Sequence, residues 1–508
     1  MAGAFAAAWR RYWVDSLATL ILFVAAALAA GRVWRFPFDD EIPSMVPNWP
    51  GASHESAFDT ARHFLEGYDI HPPTIYLLFP ALFRWGISEP ALRLCNLAMT
   101  GLALALWQLV TLAIVSRRTE QPVVTSTRLV ALLLFGLSPL ALSQGDAIRW
   151  YPPFALCVAL SATLYLGARS AAVRLAAAIP LGLAVAINLI APLVAIPLAI
   201  YRYALQRQCR PAFDLWFWGI AAVFAAPGLY TAIEIARRNL SGLLRDKFAT
   251  GAVSAIGTGI IGFFGGNTVG IGQAWLILPA AALTAIAAIA LIDRRDPGAP
   301  VNFCLLLCFA AVAAMVAGFS EPRSFLYLAP VSAMIVTLFI DRQLSRHGAS
   351  RALLLSCCAI LPSIAAIADL GTRSHPFKRN AVPPFDEILA FIDRNKRGDT
   401  LVISTDPVVP WALSKQPEPQ LCVSYFFSEA DCFANPVRYQ SIFVVSGHSS
   451  HTYDRRYMQR FAARVAEVTA GRERLVSVPV GRDDDAMLKT RLTGVPLDEF
   501  ILTVDLYR

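Results

Sequence analysis

The sequence predicts a polytopic α-helical membrane protein that ends in a small α/β domain. Of its 508 residues, 56% are hydrophobic and only 16% are charged, whereas soluble globular chains carry about 25% charged residues. The apolar residues form runs of about 20, the length at which a helix crosses a bilayer. These runs lie in residues 1–371, and residues 372–508 have the composition of a soluble domain. We therefore expect a membrane domain over 1–371 and a soluble domain over 372–508.

The first apolar run follows Arg10 and Arg11 and is followed by Arg32, without the small-residue cleavage site of a signal peptide. We interpret it as an uncleaved first span with a cytoplasmic N-terminus. About eleven spans are predicted, so the odd count places the C-terminal domain outside the cytoplasm, beyond a cytoplasmic (inner) membrane. The predicted spans are 14–33, 90–115, 127–143, 152–168, 172–188, 190–205, 213–233, 274–292, 301–318, 324–341 and 351–369.

The arginine distribution agrees with this topology. Cytoplasmic connectors carry an excess of Arg and Lys. The net charge of +8 comes mostly from such connectors, so membrane lipids are expected partners and nucleic acid is not. The arginines of the predicted cytoplasmic connectors are Arg117, Arg118, Arg169, Arg174, Arg202, Arg207, Arg210, Arg294, Arg295, Arg342 and Arg346.

The C-terminal segment alternates helix and strand patterns. PFDEILAFIDRNK and residues 454–468 have helical periodicity, and DTLVIST, YQSIFVVSG, LVSVPV and EFILTVDLY have strand character. Cys422 and Cys432 are its two cysteines, and a disulfide between them is expected if the domain lies outside the cytoplasm. His448, His451 and Asp454 either bind a metal or form a polar loop.

Three consecutive acids, Asp39, Asp40 and Glu41, follow the first span in FDDEIP. One interpretation is a solvated turn that ends the span. The other is a general base or a metal-binding pair at the membrane surface, since desolvation favours the neutral carboxyl and makes it a better base at neutral pH. Both interpretations stay open.

A second polar cluster lies in SQGDAIRWYPPF, residues 143–154. Asp146 and Arg149 are spaced to share one helical face. Arg149 is suited to hold a phosphate bidentately, with a hydrogen bond from Tyr151. Alternatively, Asp146 and Arg149 pair with each other.

Two further features lie in predicted outside connectors. His71 precedes Pro72 and Pro73 at the start of an apolar stretch, 74–87, which is too short to span and is expected to be an interfacial helix; a capping or packing role for this histidine stays open. Several cations break the positive-inside trend, so they either contact an anionic lipid phosphate or snorkel to headgroups. These cations are Arg237, Arg238, Arg245, Lys247 and Arg323.

In order and spacing these motifs resemble the GT-C superfamily of integral membrane glycosyltransferases. The nearest type is the protein-mannosyltransferase-like group that includes rhizobial galacturonic acid and lipid A aminoarabinose transferases. The matching elements are an Asp-Glu pair after the first span, a His-Pro-Pro before an interfacial helix, and an Arg near the start of the next span. A Ser-Pro…Gln-acid-Ala-Arg-x-Tyr stretch and a late Pro-Arg follow. They are Asp40–Glu41, His71–Pro73, Arg93, Ser138–Tyr151 (with Ile148 as an extra residue) and Pro322–Arg323.

This resemblance implies inverting transfer of a sugar from a polyprenyl-phosphate-linked donor to a hydroxyl of a lipid, glycan or protein of the cell envelope, at the outer face of the membrane. It implies Asp40 as the base, with Asp39 as the next candidate. Glu41 and Asp146 would support it, through a divalent cation if the enzyme uses one; metal use is left open. The donor phosphate would meet Arg149, Tyr151 and Arg323.

Two other classes of function stay open at this stage. A transporter or flippase of lipid-linked sugars would carry charges on broken helices at mid-membrane, whereas here the acids cluster near one surface. A membrane-anchored binding or scaffold protein would have its function in residues 372–508.

Overall fold

The computed structural model describes residues 2–34, 72–119, 122–167, 170–237, 252–266, 275–292, 296–316, 322–371, 385–415, 418–425, 430–433, 435–447, 455–480 and 501–508. The described residues up to Gly371 form one compact unit, and those from Phe385 onward belong to a second.

The regular structure in the described part of the first unit is helical. Its helices follow the apolar runs of the sequence, because a backbone in hydrocarbon must satisfy its own hydrogen bonds. They are α1 (Ala2–Ala29), α2 (Thr74–Arg84), α3 (Glu89–Thr119), α4 (Thr125–Gly136), α5 (Pro139–Gln144), α6 (Tyr151–Gly167), α7 (Ala171–Ala176), α8 (Ala178–Ile187), α9 (Pro192–Ile200), α10 (Pro211–Arg237), α11 (Ala252–Gly265), α12 (Leu278–Ala290), α13 (Pro300–Val316), α14 (Ala329–His347) and α15 (Ala349–Gly371).

Each of the eleven predicted spans coincides with helix. Six helical segments in the described residues are long and apolar enough to cross a membrane, and five of the six shorter apolar helices fall on the remaining predicted spans. The polytopic prediction is therefore confirmed. The six long segments are Arg10–Ala29, Glu89–Arg117, Thr125–Gln144, Pro211–Arg237, Arg323–His347 and Ala349–Ile367.

The helices differ in how much of their surface is buried, which separates inner from outer helices. The most apolar stretches of α3 and α14 are 83% buried, whereas those of α10 and α15 are 33% buried. A hydrogen bond of 2.6 Å from Thr19 Oγ1 to Gln108 Oε1 ties α1 to the inner helix α3. The outer helices expose apolar side chains such as Ile21 and Val223, as expected of surfaces that lipid covers.

Two helices of the described membrane unit lie outside the predicted spans. Helix α2, Thr74–Arg84, occupies the predicted interfacial stretch; its place at the interface stays a prediction. Helix α11, Ala252–Gly265, has no counterpart among the predicted spans. It packs closely on α13, since a Cβ atom at Gly259 would lie 2.9 Å from Met315 Sδ.

The second unit contains a five-stranded mixed sheet with strand order β2-β1-β3-β5-β4. β1 is parallel to β2 and β3, and β5 is antiparallel to β3 and β4. This confirms the predicted small α/β domain. Its elements are α16 (Phe385–Asn395), β1 (Thr400–Ser404), α17 (Val408–Ser414), β2 (Leu421–Tyr425), β3 (Ser441–Gly447), α18 (Arg455–Val468), β4 (Arg474–Val480) and β5 (Leu502–Tyr507).

Alternating side chains of β1 and β3 cover the two faces of this sheet. Leu401 and Ile442 pack on one face with Phe461 of α18. On the other face Phe443 meets Phe391 of α16, with ring centroids 6.2 Å apart. The first face also carries a disulfide between Cys422 and Cys432, whose Cα atoms are 5.7 Å apart.

Candidate functional site

A buried aspartate lies at the turn between α5 and α6 and is held by two arginines. Asp146 is fully buried. Its Oδ1 accepts hydrogen bonds from Arg32, at 2.8 Å from Nη2 and 3.2 Å from Nε, and its Oδ2 lies 3.3 Å from Arg93 Nη1. A buried carboxylate is costly unless it is paired, and these two guanidinium groups supply the pairing.

The same pairs connect separate segments of the chain. Arg32 follows the C-terminal end of α1 and also donates to the carbonyl of Ser143. Arg93 is on the first turns of α3, where Nη2 donates to Glu89 Oε1 at 2.9 Å. Asp146 thereby joins the end of the first span to α3 and to the start of α6.

One face of α3 holds the turn that carries Asp146. Arg93, Asn96 and Thr100 follow at helical spacing and point the same way. Asn96 Nδ2 donates to the carbonyl of Ala147 at 2.6 Å, and Thr100 Oγ1 donates to the carbonyl of Gly145 at 3.1 Å. A Cβ atom at Gly145 would lie 2.5 Å from the carbonyl oxygen of Ala141, so the close packing of this turn needs glycine.

Arg149 is oriented by a tyrosine of helix α2. Its Nη1 donates to Tyr76 Oη at 2.9 Å, and its Cζ lies 5.7 Å from the centroid of the Tyr76 ring. Helix α2 is itself fixed by Thr74, whose Oγ1 donates to the carbonyl of Ala186 at 2.6 Å. Both Arg149 and Tyr76 are buried.

An aromatic group extends from this turn to the segment before α14. The Trp150 ring lies against Tyr151 and Phe154, with centroids 4.4 and 5.5 Å away, and Phe154 meets Tyr327 edge to face at 5.4 Å. Arg323 lies over the Tyr151 ring, with its Cζ 6.0 Å from the ring centroid. The late Pro-Arg motif therefore reaches the same place as the 143–154 motif.

We call this set of side chains the Asp146 cluster. It has four guanidinium groups and two carboxylates, so these six side chains have a net charge of +2. Guanidinium groups bind phosphate in a planar, bidentate geometry. Such a set suits the binding of an anion and the stabilisation of a leaving phosphate. Its charged members are Arg32, Glu89, Arg93, Asp146, Arg149 and Arg323.

The structure brings some of the predicted site residues together and not others. Asp146, Arg149, Tyr151 and Arg323 come together as described. Asp146 forms salt bridges with Arg32 and Arg93. At the end of α10, Arg237 is 77% exposed and lies 3.2 Å from Glu234 Oε1. Seven predicted residues lie outside the described part of the chain: Asp39, Asp40, Glu41, His71, Arg238, Arg245 and Lys247.

The Asp146 cluster does not resemble a metal site in its described part. Both oxygens of Asp146 lie within reach of guanidinium groups. Where the structure describes the chain, no three His, Cys, Asp or Glu side chains lie together so as to hold a metal ion. The suggested roles of Asp146 and Glu41 in metal binding stay predictions, because Glu41 lies outside the described residues.

Sequence reasoning did not identify Arg32, Glu89 and Tyr76 as site residues, and it named Arg93 only as a motif of the family resemblance. Arg32 was a flanking residue of the first span, Glu89 the start of a helix and Tyr76 one aromatic among many. A pairwise signal was present only for Glu89 and Arg93, whose spacing predicts an ion pair on one helix. Arg32 and Tyr76 join the cluster through contacts with residues far away in the sequence.

Solved structures of one other protein resemble the fold of this chain. The chain is similar to ArnT from Cupriavidus metallidurans in the apo state, with a TM-score of 0.50 and 13% sequence identity over 96% of this chain and 97% of that one. ArnT bound to undecaprenyl phosphate matches with a TM-score of 0.45 and 14% identity over the same shares. No protein-family model matches the chain, and no curated protein matches its sequence. The chain thus shares the fold of ArnT.

Proposed function

We propose that this protein transfers a sugar from a polyprenyl-phosphate-linked donor to a hydroxyl acceptor at the outer face of the membrane. The observation that carries the proposal is the Asp146 cluster, which gathers cationic and aromatic side chains at one end of a set of spanning helices. The shared fold with ArnT supports a membrane-embedded reaction. An anionic headgroup on an apolar chain matches a cationic site among apolar helices.

In the proposed reaction the acceptor hydroxyl loses its proton to Asp40, or to Asp39. The hydroxyl oxygen forms a bond to the anomeric carbon of the donor, and the bond from that carbon to the phosphate oxygen breaks. The polyprenyl phosphate leaves with the bonding electrons, and the sugar configuration inverts. Charge on the leaving phosphate grows in the transition state, so Arg149 and Arg323 stabilise it more than they stabilise the bound donor.

Asp146 has a positioning role in this proposal. It anchors Arg32, which stands a few residues before the three acids, to α3 through Arg93. Both of its carboxylate oxygens lie within reach of guanidinium groups, so we assign it to positioning rather than to proton transfer. Glu41 stays a candidate for supporting the base. The second candidates for substrate contacts are His71, Arg237, Arg238, Arg245 and Lys247.

The proposal is tested by transfer from a radiolabelled prenyl-phosphate sugar by the purified protein. The Asp40→Asn and Asp39→Asn single variants should show which aspartate is the base. Loss of the base should lower the transfer rate at least about a hundredfold. Asp15→Asn, on the opposite flank of α1, is the control and should keep its rate. Full transfer by both Asp39 and Asp40 variants would refute the base assignment.

A transporter of lipid-linked sugars is the competing function. Proteoliposomes distinguish the two, because an enzyme forms a new glycosidic bond and a transporter does not. Movement of labelled lipid-linked sugar across the vesicle membrane without any product would overturn the proposed transfer reaction.

A further inference from the structure

The turn between α9 and α10 has a backbone conformation that is rare in proteins. Tyr201–Leu205 form a single π-helical turn. Arg207 follows it with a φ of 50°, the one positive φ outside glycine in the part of the chain that the structure describes. Both features are frequent at functional sites. The turn joins two predicted spans on the predicted cytoplasmic side, and the proposed transfer reaction does not use it.

A buried arginine fixes this turn from the inside. Arg202 is 2% exposed. Its Nε donates to Asp214 Oδ1 of α10 at 2.7 Å, and its Nη1 donates to Tyr165 Oη of α6 at 3.0 Å. Oδ2 of the same aspartate accepts from the backbone N–H of Arg210 at 2.9 Å. The carboxylate on the first turn of α10 is thus engaged in holding the turn together.

Three further arginines flank the turn. Arg207 and Arg210 are exposed on it, and Arg174 is half-buried on α7, which packs on α6 and α10. None of the three forms a salt bridge in the described part of the chain. Asp296 also belongs to this region, because Tyr201 Oη donates to the nearby Gly298 carbonyl at 2.6 Å. The described charges here sum to +2; they are Arg174, Arg202, Arg207, Arg210, Asp214 and Asp296.

Aromatic and aliphatic side chains lie beside these arginines. Leu215 and Trp216, on the first turns of α10, are 74% and 65% exposed. Tyr203 of the π-helical turn is also exposed, and its Oη accepts from Trp218 Nε1 at 2.6 Å. Tryptophan and tyrosine concentrate where membrane helices meet the lipid headgroups. The surface therefore combines cations with apolar side chains suited to the headgroup level of a bilayer.

We propose that this surface binds the phosphate headgroup of an anionic phospholipid in the predicted cytoplasmic leaflet. Guanidinium groups hold phosphate oxygens in a bidentate geometry, and basic pockets between spanning helices bind anionic headgroups. Trp216 and Leu215 would contact the adjoining acyl chains, whereas a soluble anion would match the arginines alone. Asp146 and this surface lie at opposite ends of α6, so the inference does not depend on the proposed function.

The test is native mass spectrometry of the full-length protein with added phosphatidylglycerol or phosphatidylcholine that carry the same acyl chains. The native protein should bind the anionic lipid at least about tenfold more tightly, since each cation near an anionic headgroup contributes roughly fivefold. Arg207→Gln/Arg210→Gln should lose most of this preference and Arg174→Gln a part of it. Both variants should bind phosphatidylcholine like the native protein, which excludes misfolding as the cause.

Arg346→Gln/Arg351→Gln is the matched control. These two arginines are exposed at the connector between α14 and α15, on the same predicted side of the membrane, so this variant loses the same charge. It should keep the native preference. An equal loss in this control would assign the effect to net charge and overturn the proposal. Equal binding of both lipids by the native protein, or displacement of the anionic lipid by an equal concentration of inorganic phosphate, would overturn it as well.

Discussion

At the scale of single residues, the charge of Asp146 compensates two buried guanidinium groups. Each of these three side chains needs the others for its burial to be tolerated. Arg93 has no exposed surface and Arg32 is 6% exposed. Removal of one partner from a buried pair leaves a charge without compensation, which costs about 3–5 kcal/mol. Conversely, a pair that water reaches contributes about 0–1 kcal/mol.

We therefore expect Asp146→Asn to lower the free energy of unfolding by about 3–5 kcal/mol and to reduce transfer. Thermal unfolding in lipid nanodiscs measures the first effect. Asp15→Asn is the control, since Asp15 pairs with an Arg128 side chain that is 39% exposed. Equal loss of stability in both variants would contradict the buried-cluster explanation.

The hydroxyl of Tyr76 has a separate role, since it fixes the direction of Arg149. Tyr76→Phe keeps the ring and removes the hydrogen bond to the guanidinium group. If Arg149 binds the donor phosphate, the KM for donor should rise about tenfold or more, as hydrogen bonds to charged groups contribute about 1.5–3 kcal/mol. Steady-state kinetics over a range of donor concentrations measures the change.

Tyr165→Phe is the matched control for Tyr76→Phe. It removes the same kind of hydrogen bond, from Arg202 Nη1 to Tyr165 Oη at 3.0 Å, from a pair on α6 and the turn after α9. We expect an unchanged KM for donor. A rise in KM in this control would show that loss of rigidity, rather than the orientation of Arg149, is the cause.

At the scale of elements, the turn between α5 and α6 is the part of the site with the least room. Helix α3 holds its backbone through Asn96 and Thr100. Gly145→Ala would force its Cβ to about van der Waals overlap with the Ala141 carbonyl, 2.5 Å away. Backbone atoms cannot yield as a flexible side chain does.

We expect Gly145→Ala to destabilise the membrane unit by about 1–3 kcal/mol and to lower kcat, because Asp146 and Arg149 move with the turn. Gly219→Ala in α10 is its control, since nothing lies within 4 Å of the added atom. That change should be neutral or slightly stabilising. Thermal unfolding and kcat, measured side by side, decide between a local clash and a general cost of losing glycine.

Elements also show where sequence patterns were insufficient. Strand β2 and helix α17 were not predicted. β2 lies at the edge of the sheet, where four of its five residues are only partly buried, and α17 contains Pro410, so neither shows the apolar run or the periodicity that a pattern needs. The long apolar helices and the interior strands β1, β3 and β5 were visible in sequence, since their burial requires runs or alternation of apolar residues.

At the scale of the whole molecule, the proposed outer location of the soluble unit depends on the number of spans. The Cys422–Cys432 disulfide is consistent with that side, because cytoplasmic thiols are kept reduced. We predict that a phosphatase reporter, active only outside the cytoplasm, is active when fused after Arg508.

The same reporter fused after His347 is the control, because the connector before α15 is predicted to be cytoplasmic, and it should be inactive. Thiol labelling in intact cells gives an independent measurement, since Cys422 and Cys432 should stay unlabelled until a reductant is added. Activity of the His347 fusion with an inactive Arg508 fusion would invert the proposed topology.

The sequence by itself determined the membrane class, the positions of the apolar helices and the α/β character of the soluble unit. These follow from local quantities: apolar run length, alternation and the residues at helix ends. It also singled out Asp146, Arg149, Tyr151 and Arg323, through their polarity in an apolar chain. Only the tertiary structure decided their partners. Arg32 and Asp146 are 114 residues apart in the chain, and their pairing arises because α1, α3 and the α5–α6 turn pack together and exclude water from a charge that must then be matched.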